Sequence, residues 1–181
     1  MVKKEFKFKG EHFCLYDVGG QRAERRKWVP YFDNVDMLVF VAALSEYNQV
    51  LAEDSTKNRM EEALELFEQI VHSPFFASMD VILFLNKRDL FADKIKTVDP
   101  KAWFPEYSGG CNYSNAEKFF RNEFEKRLYR GDAGSKRLLY TYSTCATDTQ
   151  NVKHVFDSMY DRMLEKAQWI IQGNAPIFGG A

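Results

Sequence analysis

Apolar residues recur along this chain in two rhythms, one of period two and one of period three to four. Lys3 to Lys9 alternates charge with Phe6 and Phe8, as a half-exposed strand does, and Gly10-Glu11 turns it into a second strand ending at Asp17. The pair reads as a hairpin. Met37 to Ala43 and Val81 to Leu85 are continuous apolar runs of strand length, the pattern of a sheet covered on both faces, and Leu138 to Ser143 is a further strand. Met60, Ala63, Leu64, Phe67, Ile70 and Val71 fall on one helical face that Pro74 stops. Ser114 with Glu117 resembles a capping box, and Ala116, Phe119, Phe120, Phe124 and Leu128 give the helix after it an inward face. Thr147 with Gln150 is a second such box. It opens a last helix striped with Val152, Val155, Phe156, Met159, Tyr160 and Met163, and extended by Ala167 and Ile170.

The intervening stretches are turns and loops. Arg22 to Tyr31 has helical propensity until Pro30 ends it, Ser45 to Lys57 is polar, and Phe91 to Gly110 reads as loop with at most a short helix. Gly131 to Gly134 is a turn, and residues beyond Gln172 form a frayed tail.

Composition narrows the class. With 181 residues, 45% hydrophobic, 28% charged and a net charge of -1, the chain suits one globular domain with no general attraction to nucleic acid. Cys14, Cys111 and Cys145 show no C-x-x-C pairing and read as reduced, buried thiols, while His12, His72 and His154 lack metal-ligand spacing. No apolar run is long enough for a bilayer span, and neither a signal peptide nor a lipidation signal is expected.

Chemistry concentrates at three strand ends. The Phe13 to Tyr16 strand runs into Asp17-Val18-Gly19-Gly20-Gln21: an acid that can hold hydrated Mg²⁺, a bare glycine N–H open to a phosphate, and a side chain that can orient water. A type II or hairpin turn accounts for Asp-Val-Gly-Gly equally well. After Leu85 comes Asn86-Lys87-Arg88-Asp89, where Asp89 can accept both N–H groups of a guanine edge and adenine would leave the carboxylate unpaired. A capping Asn or Asp in a charged loop is the other reading. Thr144-Cys145-Ala146-Thr147 follows the last strand with small residues whose N–H groups can face a base carbonyl. Arg22, Arg25, Arg26 and Lys27 before Trp28 are either a solvated face or a partner-facing anchor.

These three loops in this order, with DVGGQRAERRKW, LAEDSTKNRMEEALELFEQI, FLNKRDLF and TCATDTQNV, resemble the α subunits of heterotrimeric G proteins, from Glu5 to about Phe156. The resemblance implies an α/β, Ras-like P-loop NTPase fold, a mostly parallel sheet with helices on both faces, over residues 1–172, with 173–181 a flexible tail. It implies GTP or GDP with Mg²⁺ as cofactors. Asp17 would hold the metal through water, Gly20 would meet the γ-phosphate, and Gln21 would be the catalytic, water-orienting residue. Asn86, Lys87 and Asp89 would read the base, and the Ala146 N–H would meet guanine O6. Val18, Gly19, Arg88, Cys145 and Thr147 complete the implied nucleotide contacts. Arg22, Arg25, Lys27 and Trp28 would touch the βγ dimer or an effector, Ala43 to Asn58 would form a second switch, and the last helix would couple to a receptor. Its place would be cytoplasmic, at the inner face of the plasma membrane, peripheral through partners or a lipid anchor.

The 181 residues contain no G-x-x-x-x-G-K-[ST]. By the resemblance, that loop, the arginine finger, the metal-binding switch Thr, the inserted helical domain and a lipid-bearing helix would all precede the first residue. The family's first strand would lie between those of Leu15 and Val39, so a gap and a poorly stable domain are expected. After Asp157 the sequence departs from the family's receptor-recognition tail. Two functions follow: a GTP-hydrolysing signalling switch, or a non-hydrolysing module that binds βγ, receptor or effector.

Overall fold

A computed structural model describes residues 2–76, 79–131 and 137–169. The hairpin forms as its alternation predicts: β1 (Val2–Phe8) pairs antiparallel with β2 (Glu11–Asp17) through a turn in which Lys9 and Gly10 both take positive φ. β3 (Leu38–Ala43), β4 (Val81–Asn86) and β5 (Leu139–Ser143) make a separate parallel sheet in the order β3-β4-β5. The strands of Leu15 and Val39 thus belong to different sheets, as expected. Val41 of β3 is 57% exposed.

Helices lie on both faces of the parallel sheet, closely on one and only partly covering the other. α1 (Arg59–Val71) and α3 (Tyr113–Leu128) bury Met60, Leu64, Phe67, Phe120 and Phe124 against Phe40, Ala42, Leu83 and Leu85. Phe67 meets both Phe40 and Phe124 edge-on, at 5.2 and 5.1 Å between ring centroids. α4 (Thr149–Trp169) serves the other face, where Val155 and Phe156 share a cavity with Val41 and Phe84. It also carries the hairpin: Phe8 and Phe13 pack on Tyr160, and Lys9 pairs with Asp157 at 3.1 Å and Asp161 at 3.3 Å.

Several boundaries differ from the sequence reading. Arg22–Lys27 and Val29–Asn34 are two short 3₁₀ helices, and Pro30 opens the second instead of ending the first, because a missing N–H costs nothing there. α2 (Arg88–Lys94) is a real helix whose inward residues are few, with Phe91 buried and Ile95 at its cap. The two capping boxes do not form. Asn112 caps α3 by accepting from the Asn115 N–H at 3.0 Å, which starts the helix earlier and leaves Glu117 to bind Ser143 and Arg121. Asp148 likewise accepts from the Asn151 N–H at 3.0 Å.

Of the thiols, only Cys145 is buried. Cys14 lies on the open face of a two-stranded ribbon and Cys111 in the loop before α3, so both are exposed. The expected tail, Ile170, residues 132–134 of the expected turn, and the side chains of Val152, Met163 and Ala167 lie outside what the structure describes.

Candidate functional site

The second and third loops meet. β4 and β5 are neighbours in register, so both loops emerge at the carboxyl end of one parallel sheet, where such folds place ligands. The Thr144 N–H donates to Leu85 O at 2.9 Å and the Arg88 N–H to Thr144 O at 3.1 Å. The Thr144 hydroxyl donates to Asn86 Oδ1 at 3.2 Å, so Asn86 braces the neighbouring loop. Arg88 reaches Asp148 at 3.4 Å, and Cys145 spends its N–H on Asn151 Oδ1 at 3.0 Å. Around this joint Asp89, Ala146 and Thr147 are exposed. Asn86 and Ala146 line one cavity of about 190 Å³ with Val41, Phe84 and Val155.

Lys87 is the strained point. Its backbone is left-handed, φ 58° and ψ 38°, a region that disfavours residues with a Cβ. Its ammonium is ion-paired with Glu46, whose other oxygen takes Arg59 at 3.1 Å. Burial pushes the Glu46 carboxyl up, but its bonds to Lys87 and Arg59 outweigh that and hold it below the ordinary range.

The first loop sits elsewhere. Asp17 ends β2, in the hairpin sheet, and is exposed. Gly20 and Gln21 line a second cavity of about 180 Å³ with Arg25, Leu51 and Arg59. Each cavity is smaller than the roughly 300 Å³ at which small-molecule sites begin. Arg59, which borders this second cavity, and Lys87 of the base loop share the Glu46 carboxylate.

The basic segment is held down. Arg22 donates from Nε and Nη2 to Glu62 at 3.1 and 2.7 Å, Arg25 donates to the same carboxylate at 2.7 Å, and Arg22 also pairs with Asp54 at 3.5 Å. Trp28 is buried and its indole N–H donates to Gly19 O at 3.0 Å, whereas Arg26 is exposed and Lys27 pairs with Glu24 on the surface. Trp28 is therefore a packing residue of this loop. Sequence reasoning missed Glu46 and Glu62. Glu62 carried a signal, an acid in the first turn of α1 beside inward Met60, Ala63 and Leu64. Glu46 carried none.

For Mg²⁺, no group of three His, Cys, Asp or Glu side chains gathers among the described residues. A lone exposed carboxylate such as Asp17 suits an outer-sphere contact to a hydrated ion and nothing closer.

A parallel sheet with helices on both faces and polar loops joined at its carboxyl end defines a doubly wound α/β protein. The family model described as "G-protein alpha subunit" matches residues 1–163. The chain is 46% identical over 166 residues to the guanine nucleotide-binding protein alpha-17 subunit of Caenorhabditis elegans, covering 92% of this chain and 46% of that protein. It is 45% identical over 161 residues to the G(o) subunit alpha of Lymnaea stagnalis, covering 89% of this chain and 44% of that one. The chain belongs to the G-protein alpha subunit family, and it spans about half the length of the curated relatives it matches.

Proposed function

We propose that this chain carries the guanine-reading half of a GTP-hydrolysing signalling switch that relays a membrane receptor's signal to effectors. The observation that carries the reading is the hydrogen-bonded joint between the Asn86 to Asp89 and Thr144 to Thr147 loops. The exposed Asp89 accepts two guanine N–H groups, the Ala146 N–H donates to the base O6, and Asn86 keeps the loops in register. Lys87 borders the base, while Arg88 and Cys145 hold the loops and Thr147 lines their edge. Adenine reverses the donor pattern and leaves Asp89 unpaired, which is the source of selectivity.

At the hairpin end, Gly20 donates to the terminal phosphate, with Val18 and Gly19 shaping the turn, and Gln21 orients the water that attacks it. Mg²⁺, met by Asp17 through water, would supply charge neutralisation for the phosphates. The Arg22 to Trp28 segment presents Lys27 and the outer edges of Arg22 and Arg25 to a βγ dimer or effector, and α4 meets the receptor. The protein works at the inner face of the plasma membrane.

These 181 residues contain no G-x-x-x-x-G-K-[ST], and phosphate cradles supply most nucleotide affinity, so alone they bind GTP weakly and turn it over negligibly. Guanosine, which needs no phosphate cradle, gives the direct test. In an NMR titration it shifts the Asn86 to Asp89 and Ala146 resonances while adenosine does not; equal response to both nucleosides refutes the base reading. A fluorescent GTP analogue and a phosphate-release assay test the second expectation, which tight binding or steady turnover contradicts. A second reading, a non-hydrolysing module, is favoured by the ion-paired order of the Arg22 to Trp28 segment. A βγ pull-down that yields no complex ends that reading.

A further inference from the structure

Lys87 holds a left-handed backbone at the start of α2, and its side chain offers that helix no cap. Something outside the loop must keep it there. The Glu46 carboxylate meets the Lys87 ammonium on one side and Arg59 on the other. Glu46 stands on a rigid mount, a 3₁₀ turn directly after β3 (Leu44–Glu46) in which Leu44 is wholly buried, as is the following Tyr47. That turn is fastened from three directions. The Tyr47 hydroxyl donates to Val98 O at 2.6 Å, Asn58 Nδ2 donates to Tyr47 O at 2.7 Å, and Lys94 Nζ donates to Ser45 O at 2.6 Å. Arg59 is fixed as well, its Nε donating to Val50 O at 3.0 Å.

We infer that Glu46 is a positioning residue for the base loop: it draws the Lys87 side chain sideways and so holds the left-handed turn that carries Asp89 and docks the Arg88 N–H on Thr144. The role in base reading rests on the function proposed above; the hold on the loop does not. Glu46 touches no nucleotide and acts through Lys87. Its second partner, Arg59, begins α1 and borders the cavity of Gly20 and Gln21, so the same carboxylate ties the base loop to the helix that faces the first loop.

A double-mutant cycle separates this role from a merely structural one. Amide exchange of Arg88, whose N–H donates to Thr144 O, is measured by NMR in the wild-type chain, Glu46→Gln, Lys87→Gln and the double variant. Because Lys87 is partly exposed, Glu46→Gln is expected to speed that exchange by about fivefold and to add nothing in the Lys87→Gln background. Unchanged exchange, or equal losses in both backgrounds, overturns the inference. Guanosine titration of the same four proteins reads the base-reading role: Glu46→Gln weakens guanosine by about fivefold, again only when Lys87 is present. If the wild-type chain fails to prefer guanosine, the nucleotide reading falls, and the exchange cycle still decides whether Glu46 sets the loop.

Discussion

Replacing Glu62 with Gln removes the charge that receives both Arg22 and Arg25. The carboxylate is nearly buried and takes three guanidinium bonds between 2.7 and 3.1 Å. Arg22's bonds lead in drawing its pKa from an ordinary 4.5 to about 2, and Arg25 adds to them against the opposing effect of burial. A drop of that size corresponds to about 3 kcal/mol between charged and neutral forms. Arg22 is nearly half exposed, and screening there reduces the stabilisation to about 1–2 kcal/mol. The favourable placement of an acid in the first turn of α1 is lost too, about 0.5 kcal/mol. The folded pKa is depressed, so this stability is present above the unfolded value near 4.5 and lost as pH falls through the folded value near 2. Urea unfolding should show Glu62→Gln less stable by about 2 kcal/mol at pH 7, with the difference shrinking as pH falls below about 5. Tryptic cleavage within Arg22 to Lys27 should quicken in parallel. Equal stability at pH 7, or a difference that holds its size at the acid end, would refute the assignment of Glu62 as the clamp of this segment.

Asn58→Ala should lower stability by about 2 kcal/mol in thermal unfolding, since it loses the cap of α1 to the Met60 and Glu61 N–H groups and the buried bond to Tyr47 O. Gly109→Ala places a Cβ 2.5 Å from the Tyr107 hydroxyl oxygen and 2.6 Å from Asn115 Cβ, and should cost about 1–3 kcal/mol by the same measurement. Tyr160→Ala removes the ring on which Phe8, Phe13 and Lys9 rest, and should raise hydrogen exchange across residues 2–17 while leaving β3 to β5 protected. Asp89→Ala should abolish any preference for guanosine over adenosine while lowering stability by only the ~0.5 kcal/mol that an exposed acid contributes in the first turn of α2.

The division between what the residues announced and what they hid follows the range of the forces. Val81 to Leu85 declared β4 because a strand buried on both faces must be apolar throughout, and Met37 to Ala43 declared β3 by the same apolar run although Val41 on one face stays exposed. The α1 stripe was equally plain, whereas α2 was masked: charged Arg88, Asp89, Asp93 and Lys94 surround its one buried residue, Phe91. Capping was misjudged by two residues at α3, because Ser-x-x-Glu is the familiar pattern while Asn112 accepts the Asn115 N–H from an earlier position and frees Glu117 for Ser143. Trp28 looked like an outward anchor among arginines, yet the 3₁₀ turn before it brings its indole N–H to Gly19 O.

Each loop's chemistry was local, spelled by neighbours in sequence; the bonds that set the loops relative to one another were not. Glu46 to Lys87 spans 41 positions and Arg22 to Glu62 spans 40, and no periodicity or propensity can forecast which carboxylate a given cation will find at that range. Glu62 lies in the first turn of α1 and Glu46 in the 3₁₀ turn after β3, where it pairs with Arg59 at the start of α1, and both face cations from a loop at a strand's carboxyl end. α1 therefore receives the basic segment through Glu62 and the base loop through Arg59 and Glu46.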